Sequence, residues 1–154
     1  MSVSNELVKH LRQLTGSSIS LCKKVLDETG GDLEKSMALL KKESQVFAVK
    51  KMGRTTAAGV VESYIHSSRR IGVLLELRCE TDFVARNHEF QELAHNIALH
   101  IAGTDPAYVN PDDVSLLAQP FVKDSNITVE ELIKRAIAKF GEKIKIERFV
   151  RYEI

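Results

Sequence analysis

The sequence has few of the residues, and none of the charge excess, that mark particular classes of protein. Its 154 residues contain no tryptophan, three prolines and two cysteines, and 22 basic residues are balanced by 21 acidic ones. The two cysteines, Cys22 and Cys79, form no CxxC pair and lie in separate parts of the chain, which favours a reduced, intracellular setting. The charge balance gives no broad positive field, so we expect no direct nucleic-acid binding.

Long hydrophobic runs are also missing. The start of the chain, MSVSNELVKHLRQL, has no apolar leader segment and turns polar within a few residues. We therefore expect a soluble, cytoplasmic protein without a membrane partner. Its hydrophobic fraction of 44% is enough for one modest core or two small ones.

The first 45 residues have the pattern of three short amphipathic helices. Leu7, Val8, Leu11 and Leu14 recur at helical spacing after Ser4, a residue type that caps helices. Ser17 or Ser18 opens a second helix, and Asp32 caps a third. Residues 1–45 are thus predicted to form a three-helix bundle.

A basic stretch, KKESQVFAVKKMGR, follows this bundle and loses its apolar pattern. Segments of this kind are most often solvated linkers or frayed helix ends, and we place a linker at residues 46–55. A phosphate-binding role for Lys50, Lys51 and Arg54 is the alternative, although no glycine-rich loop accompanies them.

Residues 56–154 are predicted to form an α+β domain. Two β-runs, at residues 59–66 and 71–79, surround a Ser-Ser-Arg-Arg turn and indicate a hairpin. A strongly periodic helix to Gly103, an irregular stretch containing Pro111, a helix opened by Thr128 and a final strand follow. This order, ββααβ, is typical of a small antiparallel sheet with helices on one face.

The sequence carries no recognisable catalytic signature. P-loops, dinucleotide fingerprints and nucleophile elbows are missing. His88 and His95 lie two helical turns apart, too far to share one ion. Cys22 is either a thiol activated by neighbouring lysines or, more commonly, a buried residue. We predict no enzyme, no metal and no cofactor.

The stretch CETDFVARN places Phe83 in a polar connection between a strand and a helix. Thr81 and Asp82 are good helix N-caps, so a helical turn is expected there. Phe83 is then either folded back under the turn or offered to a partner. Val84 and Phe90 can already supply the hydrophobic staple, which favours the anchor.

Three regions resemble the elongation factor Ts family across most of the chain. They are LRQLTG…LCKKVL…GGDLEKSMALLKKE, CETDFVARNHEF and LLAQPFVKD…TVEELIKRAIAKFGE. The resemblance implies a nucleotide exchange factor that releases GDP from elongation factor Tu so that GTP can bind. It also implies that the N-terminal bundle is similar to ubiquitin-associated domains and docks on the GTPase domain of Tu.

The same resemblance implies two sets of partner-binding residues. In the central motif, Phe83 is a wedge between partner side chains, and Asp82 disturbs the groups that hold the magnesium ion. The central set comprises Thr81, Asp82, Phe83, Val84, Arg86 and Asn87. The bundle set comprises Leu11, Arg12, Thr15, Gly16, Ile19 and Lys23.

The chain departs from the family in the turn TGSSISLCKKVL, where members commonly read TGAGMMDCKKAL, and it lacks a helical insertion and a second core subdomain.

Two alternatives to exchange are a non-exchange protein-interaction module and an accessory factor associated with tRNA or the ribosome.

One sheet face is also left uncovered in this architecture. Leu74 and Phe149, with Val60 and Tyr64, are expected on that open face, which favours a homodimer over a monomer. Charged residues on the neighbouring strands could instead solvate the face and keep a monomer soluble.

Overall fold

The computed structural model describes residues 3–106 and 115–154. The helices are α1 (Asn5–Thr15), α2 (Ile19–Thr29), α3 (Leu33–Lys51), α4 (Asp82–Ala85), α5 (His88–Thr104) and α6 (Val129–Phe140). The strands are β1 (Ala58–Ile65), β2 (Ile71–Cys79), β3 (Pro120–Phe121), β4 (Asp124–Thr128) and β5 (Lys145–Glu153). The chain divides into two units, of which the first comprises residues up to Gly53 with Lys134–Glu142. The α+β class is confirmed.

The N-terminal helices begin at the caps that the sequence indicates. The side chains of Ser4, Ser18 and Asp32 accept the backbone N–H groups of Leu7, Leu21 and Lys35, respectively. Glycines in the left-handed region, Gly16 and Gly30, terminate α1 and α2. Short local signals therefore suffice to define both ends of α1 and α2.

Helix α3 continues to Lys51, through most of the stretch in which we place a linker. Ser44 and Ala48 are buried and continue a stripe that begins at Ser36 and includes Leu40, at intervals of four residues. No glycine or proline interrupts the segment before Gly53. The buried residues of this half of the helix, Ser44 and Ala48, are small, which is why the sequence shows no large apolar stripe there although the helix continues.

The core of the first unit forms between α1, α2 and α3. Leu11, Cys22, Val25 and Leu26 are fully buried there. Ala138, from the part of α6 that belongs to this unit, packs into the same cluster. The bundle is thus completed by a segment nearly a hundred residues further along the chain.

The second unit is built on an antiparallel sheet of order β1-β2-β5. Strand β2 is central, and its buried side chains Val73, Leu75 and Leu77 face α5, which packs on β1 and β2. On α5, Phe90, Ile97 and Ile101 are fully buried. This one-sided packing explains the alternation of buried and accessible residues along β2.

The outer face of the sheet differs from our expectation at three positions. Residues that pair directly across antiparallel strands share a face, and Val60, Tyr64 and Phe149 pair with the buried residues of β2. Those three predictions are wrong, whereas Leu74 is exposed as expected. The outer apolar side chains are Val61, Ile65, Leu74, Val150 and Tyr152.

A β-bulge explains the error on β5. Glu76 pairs with Arg148 and the next residue of β2, Leu77, pairs with Ile146, so Glu147 is an extra residue. The bulge reverses the alternation, which places Ile146 on the α5 side and Val150 on the outer side. Among the even-numbered apolar residues of β5, Ile146 therefore faces α5, whereas Val150 and Tyr152 face outward.

A short hairpin of β3 and β4, which we did not predict, precedes α6. His100 joins it to α5: its Nδ1 atom accepts the N–H of Val122 at 3.0 Å, and its Nε2 atom lies 2.9 Å from Gln119 Oε1. Helix α5 ends one residue after Gly103, and Asp105 takes the left-handed cap position. Part of the predicted irregular stretch, residues 107–114 with Pro111, lies outside the described residues.

Candidate functional site

The connection between β2 and α5 folds as the single helical turn α4. Thr81 is its N-cap and accepts the N–H of Val84 through Oγ1 at 3.4 Å. The Arg86 N–H donates to the carbonyl of Asp82 at 3.0 Å. Six residues after the Thr81 cap, the Asn87 side chain accepts the N–H of Glu89 at 2.8 Å and so caps α5. Two caps thus hold this tight turn.

Phe83 points away from the protein on this turn. Its side chain is 85% exposed, whereas the next residue, Val84, is 5% exposed. Phe90 is fully buried, so Val84 and Phe90 supply the apolar packing of the turn. Phe83 is therefore not used for folding in the described structure, and a ring of this size is costly to leave in water.

Asp82 and Arg86 flank Phe83 and are exposed, and with Asn87 they line a shallow surface depression around it. The six residues of the predicted central set therefore divide by position. Asp82, Phe83 and Arg86 are directed outward, Val84 is buried, and the side chains of Thr81 and Asn87 cap helices. The arrangement can present an aromatic ring between a carboxylate and a guanidinium.

The bundle set lies at the α1–α2 turn of the first unit. Leu11 is fully buried and accepts a hydrogen bond from the Thr15 hydroxyl at 2.7 Å. Gly16 adopts the left-handed conformation that reverses the chain. Arg12, Ile19 and Lys23 are exposed. Three of the six residues therefore build the turn, and three lie at its surface.

Leu14, which the sequence pattern assigns to the core, is 54% exposed. Together with Ile19, which is 57% exposed, it adds a second large apolar side chain beside the α1–α2 turn. Periodicity could not separate Leu14 from Leu11, since both fit the same helical stripe. Only the position of the neighbouring helices decides which of them is covered.

The alternative sites are disfavoured by their surroundings. Arg54 Nη1 lies 3.2 Å from Glu80 Oε2, so its charge is already paired. Cys22 is buried, and this burial raises the pKa of its thiol, the opposite of an activated thiolate. In residues 3–106 and 115–154, no His, Cys, Asp and Glu side chains are grouped to hold a metal ion. None of the helices in these ranges is long and apolar enough to cross a membrane.

Sequence comparisons connect these surfaces to a family. The family model described as Elongation factor TS matches residues 5–117. The chain is 42% identical to the elongation factor Ts of Desulforamulus reducens, over 99% of this chain and 89% of that protein. It is 40% identical to that of Thermotoga petrophila, over 100% and 97%, and 40% identical to that of Coprothermobacter proteolyticus, over 100% and 99%.

The alignment with the Thermotoga protein extends over 193 positions, which exceeds the 154 residues of this chain by 39. The relatives therefore have residues for which this chain has no counterpart, as the resemblance implies. The similarity nevertheless covers both units, including the exposed turn around Phe83 and the α1–α2 turn. The chain belongs to the elongation factor Ts family.

Proposed function

We propose that Phe83 and its exposed neighbours Asp82 and Arg86 form the surface through which this chain releases GDP from elongation factor Tu, in the cytoplasm. The activity itself follows from the family, whose members are guanine nucleotide exchange factors in translation elongation and not enzymes. No covalent step is required of the chain. Its task is to bind the nucleotide-free form of the GTPase more tightly than the GDP-bound form.

Thermodynamic linkage sets the size of this task. The factor weakens nucleotide binding by the same ratio by which the nucleotide weakens binding of the factor. A loosening of about 10⁴-fold requires roughly 5.5 kcal/mol of differential contact energy. One buried aromatic anchor contributes about 2 to 4 kcal/mol. Further contacts must supply the remainder.

The observation that carries the proposal is the contrast between Phe83 and Val84. The ring is 85% exposed in a turn whose other apolar residues, Val84 and Ala85, are buried. An aromatic side chain held out by a capped turn can enter a partner pocket without first breaking contacts with its own protein. Asp82, beside it, would bring a negative charge toward the groups that hold magnesium and phosphate in Tu.

The α1–α2 turn supplies the second surface. Ile19 and Leu14 are exposed apolar side chains, and Arg12 and Lys23 are exposed cations beside the same turn. A small apolar patch with a charged rim has the composition of a protein-binding surface. This patch would dock on the GTPase domain of Tu and add affinity, while the Phe83 turn acts on the nucleotide site.

The direct test is release of a fluorescent GDP analogue from Tu in the presence of excess unlabelled GDP. We expect the full chain to accelerate release in a concentration-dependent and saturable manner. A chain that binds Tu without accelerating release would be an interaction module of another kind. A chain that neither binds Tu nor accelerates release would remove the proposed function.

The outer sheet face is the basis of a separate proposal, a homodimer. Val61 is 72% exposed and Tyr152 is 73% exposed, and Ile65, Leu74 and Val150 lie on the same face. Five apolar side chains on one face of a three-stranded sheet form a patch of the kind that proteins usually cover. A second copy related by a two-fold axis would cover it with the same patch.

A further inference from the structure

Glu80 is a nearly buried carboxylate directly before the turn that presents Phe83. Its side chain is 15% exposed, and both of its oxygens accept hydrogen bonds. Oε1 accepts the backbone N–H of Lys143 at 2.8 Å. Oε2 lies 3.2 Å from Nη1 of Arg54. A carboxylate shielded from water makes stronger interactions than one at the surface, provided that it is paired as here.

These bonds join three segments that are far apart in sequence. Arg54 precedes β1, Glu80 follows β2, and Lys143 lies between α6 and β5. All three residues belong to the second unit. The carboxylate therefore connects the start of the Phe83 turn to two other chain segments at this end of the sheet.

The sheet itself does not explain the presence of this carboxylate. The ladder between β1 and β2 ends with the pair Ala58 and Cys79, and the ladder between β2 and β5 ends with Arg78 and Lys145. Glu80 is thus the first residue beyond both ladders. The hydrogen bonds of its carboxylate are therefore not part of the strand pairing.

The turn needs such support from outside. Helix α4 has four residues. A helix of this length is not stable by itself, because ordering the first turn costs conformational entropy and no further turns follow whose hydrogen bonds could offset it. The caps at Thr81 and Asn87 define the local conformation, and the buried side chains of Val84 and Ala85 belong to a turn that packs on β1 and β2. Glu80 adds polar bonds at the start of the turn, two residues before Asp82 and three before Phe83.

We propose that Glu80 is a positioning residue for nucleotide exchange: by bonding Arg54 and Lys143 it holds the α4 turn in the orientation from which Phe83 enters the partner. This inference rests on the function proposed above for Phe83. Pre-organisation of a binding group lowers the entropy lost on binding, and a loosely held group loses affinity although all its contacts remain available. Glu80 acts through Phe83 and does not itself contact the partner.

The test is a double-mutant cycle between Glu80→Ala and Phe83→Ala, with GDP release from Tu measured at half-saturating and saturating factor. We expect Glu80→Ala to slow release at least about fivefold, a change of about 1 kcal/mol, with a smaller loss for Glu80→Gln, which retains an acceptor for the Lys143 N–H. In the Phe83→Ala background, removal of Glu80 should have little further effect, since its influence passes through the ring. Equal effects in the two backgrounds would overturn the proposal.

Hydrogen exchange of the turn gives a readout that does not depend on Tu. Glu80→Ala and, separately, Arg54→Met should lower the protection of the Val84, Ala85 and Arg86 amides about tenfold or more, with β2 amides unchanged. Unchanged protection at all three amides in both variants would show that Glu80 does not hold the turn. If the wild-type chain failed to release GDP, both the proposed function and the role of Glu80 in exchange would be contradicted. The exchange rates of the three amides would still show whether Glu80 holds the turn in place.

Discussion

The guanidinium of Arg151 donates two hydrogen bonds to the carbonyl of Ala102, from Nε at 3.2 Å and from Nη2 at 2.9 Å. Ala102 lies in the last turn of α5, where carbonyl groups have no partner within the helix. A cation at this end also interacts favourably with the helix dipole. Arg151 thus attaches β5 to the end of the helix that begins beside the Phe83 turn.

Arg151→Met should therefore destabilise the protein by about 1 to 2 kcal/mol, through the lost charge-assisted bonds and an unsatisfied carbonyl. Chemical denaturation followed by circular dichroism measures this change. Lys145→Met is a suitable control on the same strand, because Lys145 pairs with Glu147 at the surface and should contribute less than about 1 kcal/mol. Equal losses in the two variants would contradict the capping role.

Phe83→Ala should slow GDP release at least about tenfold, as expected for an aromatic anchor, with the free energy of unfolding almost unchanged. Val84→Ala, one residue further, should lower the free energy of unfolding, because Val84 is buried and its truncation leaves a cavity. It should slow GDP release less than Phe83→Ala does. The pair separates recognition from folding within one turn. Normal release with a large loss of stability in Phe83→Ala would identify the ring as a core residue.

Ile19→Ser should weaken binding of the N-terminal surface to Tu while leaving the bundle folded. The expected signature is a higher factor concentration at half-maximal GDP release with a nearly unchanged maximal rate, since this surface docks and does not act on the nucleotide. Leu21→Ser is the matched control, because Leu21 is buried and a hydroxyl in its place should unfold the bundle. Unchanged concentration dependence in Ile19→Ser would remove Ile19 from the interface.

Local signals allowed much of this architecture to be predicted from the sequence. The caps at Ser4 and Asp32 and the bounds of β2 depend on a few adjacent residues, and those predictions are confirmed. Of the two candidates for the second cap, Ser17 and Ser18, the structure has Ser18. The outward Phe83 was indicated because Val84 and Phe90 were sufficient to pack the turn.

What could not be predicted depends on pairing between distant segments. The faces of Val60 and Phe149 follow from register and from the bulge on β5, which alternation within one strand does not reveal. Glu80 was missed for the same reason: its partners Arg54 and Lys143 are 26 and 63 residues away.

The buried ring of His100 predicts a dependence of stability on pH. Because Nδ1 accepts the Val122 N–H, the proton of the neutral ring lies on Nε2 and is donated to Gln119. Burial lowers the pKa of His100 below its usual value. Its neutral form therefore contributes full stability above a pH of about 6.5, the pKa of the unfolded chain, and this contribution is lost as the pH falls below that value.

Urea unfolding at several pH values between neutral and mildly acidic would measure this dependence. We expect His100→Gln, whose amide can donate and accept but does not titrate, to show a smaller loss of stability on acidification than the wild type. If the free energy of unfolding fell by the same amount on acidification in both proteins, the acid sensitivity would belong to groups other than His100.

The last prediction concerns assembly through the outer sheet face. If Val61, Ile65, Leu74, Val150 and Tyr152 are covered by a second copy, light scattering at tens of micromolar should give twice the 17.2 kDa of one chain. Dilution should then lower the mass, because the contact is a reversible association. Val61→Lys should favour the monomer, since the two-fold axis places the new charge in both halves of the contact.

Ser67→Lys in the β1–β2 turn is the control for added charge and should leave the dimer intact, because Ser67 lies beyond the paired residues of both strands. Two ion pairs on the same outer face oppose the dimer. Glu76 lies 2.6 Å from Arg148 and 2.8 Å from Arg78. Covering them costs desolvation energy that the apolar contacts must exceed. The mass of a single chain across the dilution series, in the absence of Tu, would mean that these charges keep the face in water and that the dimer does not form.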